Sequence, residues 1–227
     1  MRRFTFLAGI GLLLCGSLSA ASLFGVCGTG FTNDTCSTEA TSGFSDGNWT
    51  LSTTAETISG SAPFVTLVGP FTGTPHWVAD STSSKWISPR ISESGSSDAA
   101  GVYTYTETFN IAAPYLPSSA VIAGKWTADN SGFIELNGTE VDPGAAIATG
   151  TAGAFQNFVN FTINSGFVLG TNTLTFVVTN SSTGSPNVTG LDVQITEAQI
   201  FTPEPATFGF MGAGLAAMAL LGRKLRA

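Results

Sequence analysis

The aromatic residues of this chain are the ones best suited to hold a ligand by a ring face. There are four tryptophans and three tyrosines. Trp49 and Trp77 follow an asparagine and a histidine in loop-like stretches, and a tryptophan ring beside polar groups is typical of sites that bind neutral sugars. We therefore predict Trp49, Trp77 and Trp86 as carbohydrate contacts, with packing in the core as the alternative. Trp126 shares one face of an alternating segment with Ile122, which favours the core.

Oxygen-bearing side chains raise a second hypothesis, a calcium site. Asp129, Asn130 and Glu135, joined by Asp142 or Asp192, offer the carboxylate and amide oxygens that this hard cation prefers. The sequence contains no calcium-loop pattern. Solvated acids and turn-forming residues are the alternative interpretation.

Two cysteines lie close together near the start of the body. Cys27 and Cys36 would close a small loop, which in an oxidising compartment favours a disulfide over a metal site. A zinc site would need two further ligands, and the chain has a single histidine. We therefore predict a disulfide and no bound cofactor.

Catalytic motifs are weak. Residues 43–47 match Gly-x-Ser-x-Gly, but that nucleophile turn requires a following helix, and serine, threonine and glycine follow instead. Glycoside hydrolysis needs only two carboxylates about 5 to 10 Å apart, a pairing that a chain with many acids makes inevitable. We expect a protein that is not an enzyme, with an extracellular carbohydrate-active enzyme as the alternative.

Composition sets the class of the protein. The chain has 227 residues, 43% hydrophobic and 10% charged, with 27 glycines and 17 phenylalanines, which indicates short strands and many turns rather than disorder or a coiled coil. Residues 22–202 hold three basic residues against 14 acids, a net charge of −11. Such a surface repels nucleic acid and anionic lipid, whereas cations and neutral sugars remain compatible with it.

Alternating apolar residues predict the strands. On residues 102–111, Tyr103, Tyr105, Phe109 and Ile111 share one face, and threonines share the other. Further strands are predicted over 64–68, 85–88, 120–128, 155–163, 173–179 and 191–201. A hairpin joins 133–136 to 139–141 through a type I′ turn at Asn137-Gly138. Seven to nine strands without helical periodicity favour an all-β, two-sheet sandwich of jelly-roll type.

The N-terminus predicts export. Arg2 and Arg3 precede an apolar run over residues 4–14, and small residues follow, in the order of a secretory signal peptide. Cleavage is expected after Ala20 or Ala21. Residues 1–21 are therefore assigned to the signal peptide, and the body begins at residue 22.

The C-terminus predicts a membrane span. After Pro203, Glu204 and Pro205, a charge-free stretch of 17 residues covers 206–222. It would be roughly 26 Å long as a helix, just able to cross a bilayer. A basic cluster follows, composed of Arg223, Lys224 and Arg226. It would remain on the cytoplasmic side.

This arrangement over residues 203–227 resembles the PEP-CTERM sorting signal. The resemblance implies recognition by an exosortase, transient anchoring in the inner membrane, and delivery to the cell envelope or extracellular matrix after the tail is removed. It implies nothing about the chemistry of the body.

Three segments of the body resemble galactose-binding-like jelly rolls. They are Gly124-Lys125-Trp126-Thr127-Ala128-Asp129-Asn130, Phe133-Ile134-Glu135-Leu136-Asn137-Gly138 and Gly170-Thr171-Asn172-Thr173-Leu174-Thr175-Phe176. The resemblance implies a fold over about 103–200, with ligand residues on loops at one rim that match no position here. The sequence thus predicts an exported surface or matrix protein in contact with exopolysaccharide, and a purely structural coat component is a further alternative.

Overall fold

The computed structural model describes residues 19–67, 77–92, 97–151, 153–181, 187–202, 212–215 and 218. The chain divides into a body, Ala20–Phe201, and a unit formed by its two ends, Met1–Ser19 and Thr202–Ala227. Among the described residues of the end unit, 212–215 and 218 are helical. No helix in the described ranges has both the length and the apolar character that crossing a membrane requires. Residues 1–18, the 203–205 motif, the basic cluster at 223–226 and most of the apolar stretch lie outside the described residues.

The body is all-β, as predicted. Its described residues form eleven strands: β1 (Ser19–Ser22), β2 (Trp49–Thr53), β3 (Phe64–Val65), β4 (Ile87–Ser88), β5 (Gly101–Ile111), β6 (Val121–Asp129), β7 (Ser131–Leu136), β8 (Thr139–Val141), β9 (Val159–Ile163), β10 (Gly170–Asn180) and β11 (Gly190–Thr202). Sheet one has the order β3-β4-β11-β6-β9, with β1 also pairing with β11. Sheet two has the order β2-β5-β10-β7-β8. These two antiparallel sheets form the predicted jelly-roll sandwich.

Alternation of side chains fixes the register of sheet two. In β5 the side chains of Tyr103, Tyr105 and Phe109 are buried, whereas the threonines between them face outward. Tyr105 pairs with Phe176 of β10, so the apolar residues of both strands point to the same side. A shift of one residue would move all of them into solvent.

The predicted hairpin turn is confirmed. Asn137 and Gly138 both have positive φ, 54° and 75°, as a type I′ turn requires at both central residues. β7 and β8 pair directly across it, with Leu136 opposite Thr139. The Asn137 amide also donates to the Asn172 side chain at 2.9 Å, which ties the turn to the start of β10.

Phe176 lies at the centre of the core between the sheets. Its ring centroid is 5.2 Å from that of Trp126, 5.8 Å from that of Phe161 and 5.8 Å from that of Trp49. Trp126 and Phe161 come from sheet one, and Trp49 comes from sheet two. Tilted and edge-on aromatic contacts therefore join the two sheets.

Some predicted element bounds are wrong. Trp49 was expected in a loop but begins β2, where it pairs with Glu107 of β5. The strand expected over 155–163 begins only at Val159, because residues 154–156 form a 3₁₀ turn. β3 and β4 are two residues each, shorter than the apolar runs suggested. β3 pairs with β4 at two positions and with Ser45 through a single bridge, and β4 pairs with β11 at one position.

The predicted disulfide is confirmed. Cys27 and Cys36 are bonded, with their Cα atoms 5.3 Å apart. The loop that the bond closes also holds Asn33, whose side-chain oxygen accepts the amide of Ser37 at 3.1 Å. The bond lowers the conformational entropy of the unfolded chain in a segment that contains little regular structure. This stabilises the folded state by about 2–3 kcal/mol.

The backbones of β7 and β10 approach each other closely at Gly132. A Cβ added at Gly132 would lie 2.2 Å from the Val177 carbonyl oxygen, whereas one added at Gly47 meets nothing within 4 Å. We expect Gly132→Ala to lower the free energy of unfolding by about 1–3 kcal/mol, because the backbone of β10 has no room to move. Gly47→Ala is the matched control. Urea denaturation measures both, and equal midpoints for the two variants would contradict the packing described.

Candidate functional site

The structure corrects the prediction that tryptophan rings are exposed for stacking. Trp49 and Trp86 are 0% exposed and Trp77 is 3% exposed. A ring covered on both faces cannot stack on a sugar, so these three side chains do not form a carbohydrate-contact surface as they lie. Trp126 is buried, as predicted. Polar neighbours in the sequence were a poor guide because all three rings are buried in the fold.

Trp77 and Trp86 pack against each other and against sheet one. Their ring centroids are 4.1 Å apart, with 25° between the planes. A Cβ added at Gly190 of β11 would lie 2.7 Å from the Trp77 ring and 3.1 Å from the Trp86 ring, so the pair covers the outer side of this strand. The indole nitrogen of Trp77 donates to Asp129 Oδ2 at 2.8 Å, and that of Trp86 donates to the Val78 carbonyl at 2.8 Å. The role of the pair is structural.

The residues proposed for calcium do not come together as a set, although the Asn130 amide donates to Asp129 Oδ1 at 2.5 Å. Asp129 ends β6 in sheet one, buried against Trp77, whereas Glu135 lies on β7 in sheet two, between Thr175 and Glu140. Asn130 accepts the Ser181 amide at 2.8 Å. The other two suggested ligands are also elsewhere: Asp142 accepts the Thr162 amide at 2.8 Å, and Asp192 is buried on β11. Among the described residues, no group of three or more His, Cys, Asp or Glu side chains is placed to hold a metal ion.

Buried carboxyl groups are a feature that the sequence did not reveal. Desolvation raises the pKa of Asp129 to about 7 and that of Asp46 to about 6, even though each accepts hydrogen bonds. It likewise raises the pKa of Asp192 to about 7 and holds that of Glu107 well above the usual range. Glu107 lies among the core-facing residues of β5 and accepts the Cys27 amide at 2.8 Å. These acids are sheltered from solvent, so they have no access to a ligand.

One surface cavity combines apolar walls with charged groups. It has a volume of about 330 Å³ and is formed by the segment after β2, by β3 and by the segment after β4. We call it the Phe64 cavity, after the one aromatic residue among the described residues that line it: Glu56, Thr57, Ile58, Ser59, Phe64, Pro89, Arg90 and Ile91. Ile91 is 41% exposed, and the Phe64 ring is partly exposed. A cleft with mostly apolar walls and few polar groups is the usual form of a small-ligand site.

The charged wall of the cavity belongs to a network that we call the Arg90 cluster: Glu56, Arg90, Asp98 and Tyr103. Arg90 Nε donates to Asp98 Oδ1 at 2.5 Å, and its Nη2 donates to Glu56. The Tyr103 hydroxyl donates to Glu56 Oε1 at 2.7 Å, with the Ala99 carbonyl as a second acceptor at 2.9 Å. The Arg90 side chain is 39% exposed, that of Glu56 is 14% exposed and that of Asp98 is 0% exposed.

The cluster can bind but is poorly arranged for hydrolysis. Glu56 and Arg90 reach the cavity surface, so together they can accept and donate hydrogen bonds. Asp98 is fully buried, and its other oxygen accepts the Thr189 amide at 3.0 Å. Desolvation raises the pKa of Asp98, against the opposing effect of Arg90. A glycosidase needs both carboxyl groups at the scissile bond, and Asp98 cannot reach one.

Comparison with known proteins gives two similar structures. The chain is similar to CBM35 from Paenibacillus barcinonensis, with a TM-score of 0.31 and 16% identity over 67% of this chain and 94% of that chain. It is also similar to the enzymatically active domain of tailspike protein 4 of bacteriophage CBA120, with a TM-score of 0.34 and 17% identity over 68% of this chain and 19% of that chain. At these TM-scores, neither likeness bears on function. No family model and no curated protein matches the chain.

The sequence pointed to none of the cavity residues. Glu56, Phe64 and Arg90 lie in three separate stretches that come together only in the fold. One signal was present, since Arg90 is the single arginine between residues 22 and 202, in a segment with 14 acids. A lone guanidinium in such a chain is expected to pair with carboxylates, although the sequence does not say which.

The buried carboxyl groups predict how stability depends on pH. A carboxyl group whose pKa is raised by folding binds its proton more tightly in the folded state, so folding is favoured at low pH and loses this advantage as pH rises. For Asp129 the window runs from the ordinary value of 3.8 to about 7. We therefore expect the Tm to fall by roughly 5 °C or more between pH 5 and pH 8.

Thermal melts across this range measure the effect. Asp129→Asn keeps an acceptor for Trp77 but cannot ionise, so its Tm should fall less with pH than that of the parent. Glu140→Gln, on exposed β8, removes one surface acid and serves as the control. A parent Tm that stays constant or rises from pH 5 to pH 8 would show that these carboxyl groups are not buried as described.

Proposed function

We propose that this protein is an exported surface or matrix protein whose body binds exopolysaccharide in the Phe64 cavity. The observation that carries the proposal is the meeting of an aromatic ring, two isoleucines and the partly exposed Arg90–Glu56 pair in one cleft. A sugar ring presents C–H groups on its faces and hydroxyl groups around its edge. It therefore needs both an apolar surface and paired donors and acceptors.

Five of the cavity residues contact the sugar in this proposal. The ring of Phe64 packs against the face of a sugar, and Ile58 and Ile91 cover its sides. Arg90 donates to a sugar oxygen, and Glu56 accepts from a hydroxyl group. Asp98 and Tyr103 are positioning residues, because they hold Arg90 and Glu56 in place without reaching the cavity surface. Nothing in the binding step makes or breaks a bond.

The two ends of the chain determine the localisation of the protein in this proposal. Residues 1–21 direct export and are removed at Ala20 or Ala21. Pro203, Glu204 and Pro205 present the site at which an exosortase acts, the apolar stretch at 206–222 anchors the chain in the inner membrane, and Arg223, Lys224 and Arg226 fix its orientation. Support comes from the order of these features in the sequence. Their cleavage leaves the acidic body at the envelope or in the matrix.

Binding is tested by affinity electrophoresis of the purified full chain in gels that contain neutral polysaccharides. We expect Phe64→Ala to weaken retention about tenfold, which corresponds to 1.4 kcal/mol, because the sugar loses its ring contact. Phe24→Ala is the matched control, since Phe24 is 63% exposed and does not line the cavity. Melts of both variants check folding. Equal retention of Phe64→Ala and parent would remove the cavity as the binding site.

Processing is tested by mass spectrometry of the protein from envelope and secreted fractions. We expect the mature chain to begin at residue 21 or 22 and to lack the tail that ends at Ala227. In a Pro203→Ala/Pro205→Ala variant, the tail should persist in the membrane fraction, because the motif before the helix is changed. Recovery of intact Ala227 from the mature parent protein would disprove the sorting assignment.

A further inference from the structure

The charge of the Phe64 cavity determines which sugars it can accept. Among the described residues of its lining the cation is Arg90, which contacts two carboxylates, Asp98 through Nε and Glu56 through Nη2. The three groups together carry one net negative charge when ionised. The positive charge of the guanidinium is therefore more than neutralised by the two carboxylates before any ligand binds.

No other cation of the described body lines this cavity. Lys85 pairs with Glu39 at 3.0 Å and donates to the Ala40 carbonyl at 2.8 Å. Lys125 lies 4.6 Å above the ring of Phe158. A carboxylate on the ligand would thus enter a cleft beside Glu56 without an unmatched cation to receive it, and the excess of acids over basic residues in the body adds to the repulsion.

A neutral sugar meets complementary groups at the same place. A carboxylate has about four acceptor positions, and Glu56 uses one oxygen for Tyr103 and the other for Arg90, so it can still accept a hydroxyl group. A hydroxyl group both donates and accepts hydrogen bonds, so it can donate to Glu56 and accept from Arg90 at the cavity wall. The C–H faces of an unsubstituted sugar then pack against Phe64.

From this charge arrangement we infer that the glycan bound in the Phe64 cavity is a polymer of uncharged sugars and that Glu56 excludes uronic acids. The inference rests on the proposed function, since it names the class of sugar for the same cavity. Glu56 is a specificity-determining residue in this account. Its carboxylate accepts from a neutral sugar and repels an acidic one.

The test compares polymers that differ in charge. Dextran, galactomannan and arabinogalactan are the neutral probes, and alginate and polygalacturonate are the acidic ones. The neutral polymer that retains the full chain best is then carboxymethylated, which gives a pair with the same backbone. We expect at least tenfold weaker retention by the carboxymethylated form, and retention by the neutral form that is unchanged when sodium chloride is raised to about 0.5 M.

Glu56→Gln provides the specific readout. Glutamine keeps an acceptor for the Tyr103 hydroxyl and removes the negative charge, so the difference between the neutral and carboxymethylated polymers should shrink severalfold. Glu135→Gln, which also removes one acid but does not line the cavity, should leave the difference as in the parent. A loss of discrimination only in Glu56→Gln supports the role of Glu56. An unchanged difference in Glu56→Gln overturns it.

The remaining outcomes separate this inference from the proposed function. Retention by alginate or polygalacturonate that Phe64→Ala abolishes would leave the cavity as the binding site and overturn only the preference for uncharged sugars. Failure of every polymer to retain the protein, or retention that Phe64→Ala does not alter, would overturn the binding site itself and this inference with it.

Discussion

The contact between Arg90 and Asp98 holds together the end of the sandwich that carries the cavity. Asp98 is fully buried and binds the guanidinium with one oxygen and the Thr189 amide, at the entry to β11, with the other. The Asn187 side chain donates to the Asp98 carbonyl at 3.0 Å. Removing the cation from a buried ion pair is costly, so this pairing ties the segment after β4 to the segment before β5.

Asp46 and Glu107 are buried acids that are held by backbone amides instead of an ion pair, and this difference from Asp98 has a functional consequence. Asp46 accepts amides of Gly30 and Asn48 at 2.6 and 3.1 Å, and Glu107 accepts that of Cys27. With three basic residues for 14 acids, most buried carboxyl groups must rely on N–H donors or on protonation. The scarcity of cations makes Arg90 the only guanidinium of the body available for a surface site, and the carboxylates around it set what that site accepts.

Local pattern predicted the long strands and the hairpin but not the cavity. β5 and β10 alternate over eleven residues each, and Asn137-Gly138 determines its own turn, so neighbouring residues carry the information. The burial of Trp77 and Trp86 depends instead on a loop that returns to cover Gly190. The cavity likewise unites residues from 56 to 91, and its position follows from the pairing of short strands that local periodicity scarcely marks.

The buried tryptophans also determine which substitutions can report on ligand binding. Trp77 supports Asp129 through its indole nitrogen, and Thr189 donates to the Asp129 carbonyl at 2.7 Å, so a change at Trp77 reaches the entry to β11. That entry is also held by Asp98, the buried partner of Arg90. A loss of binding after truncation of Trp77 would therefore reflect displacement of the Arg90 cluster. Phe64 lines the cavity and its side chain forms no hydrogen bonds. A substitution at Phe64 therefore reports on contact with the sugar without breaking a hydrogen bond that supports the fold.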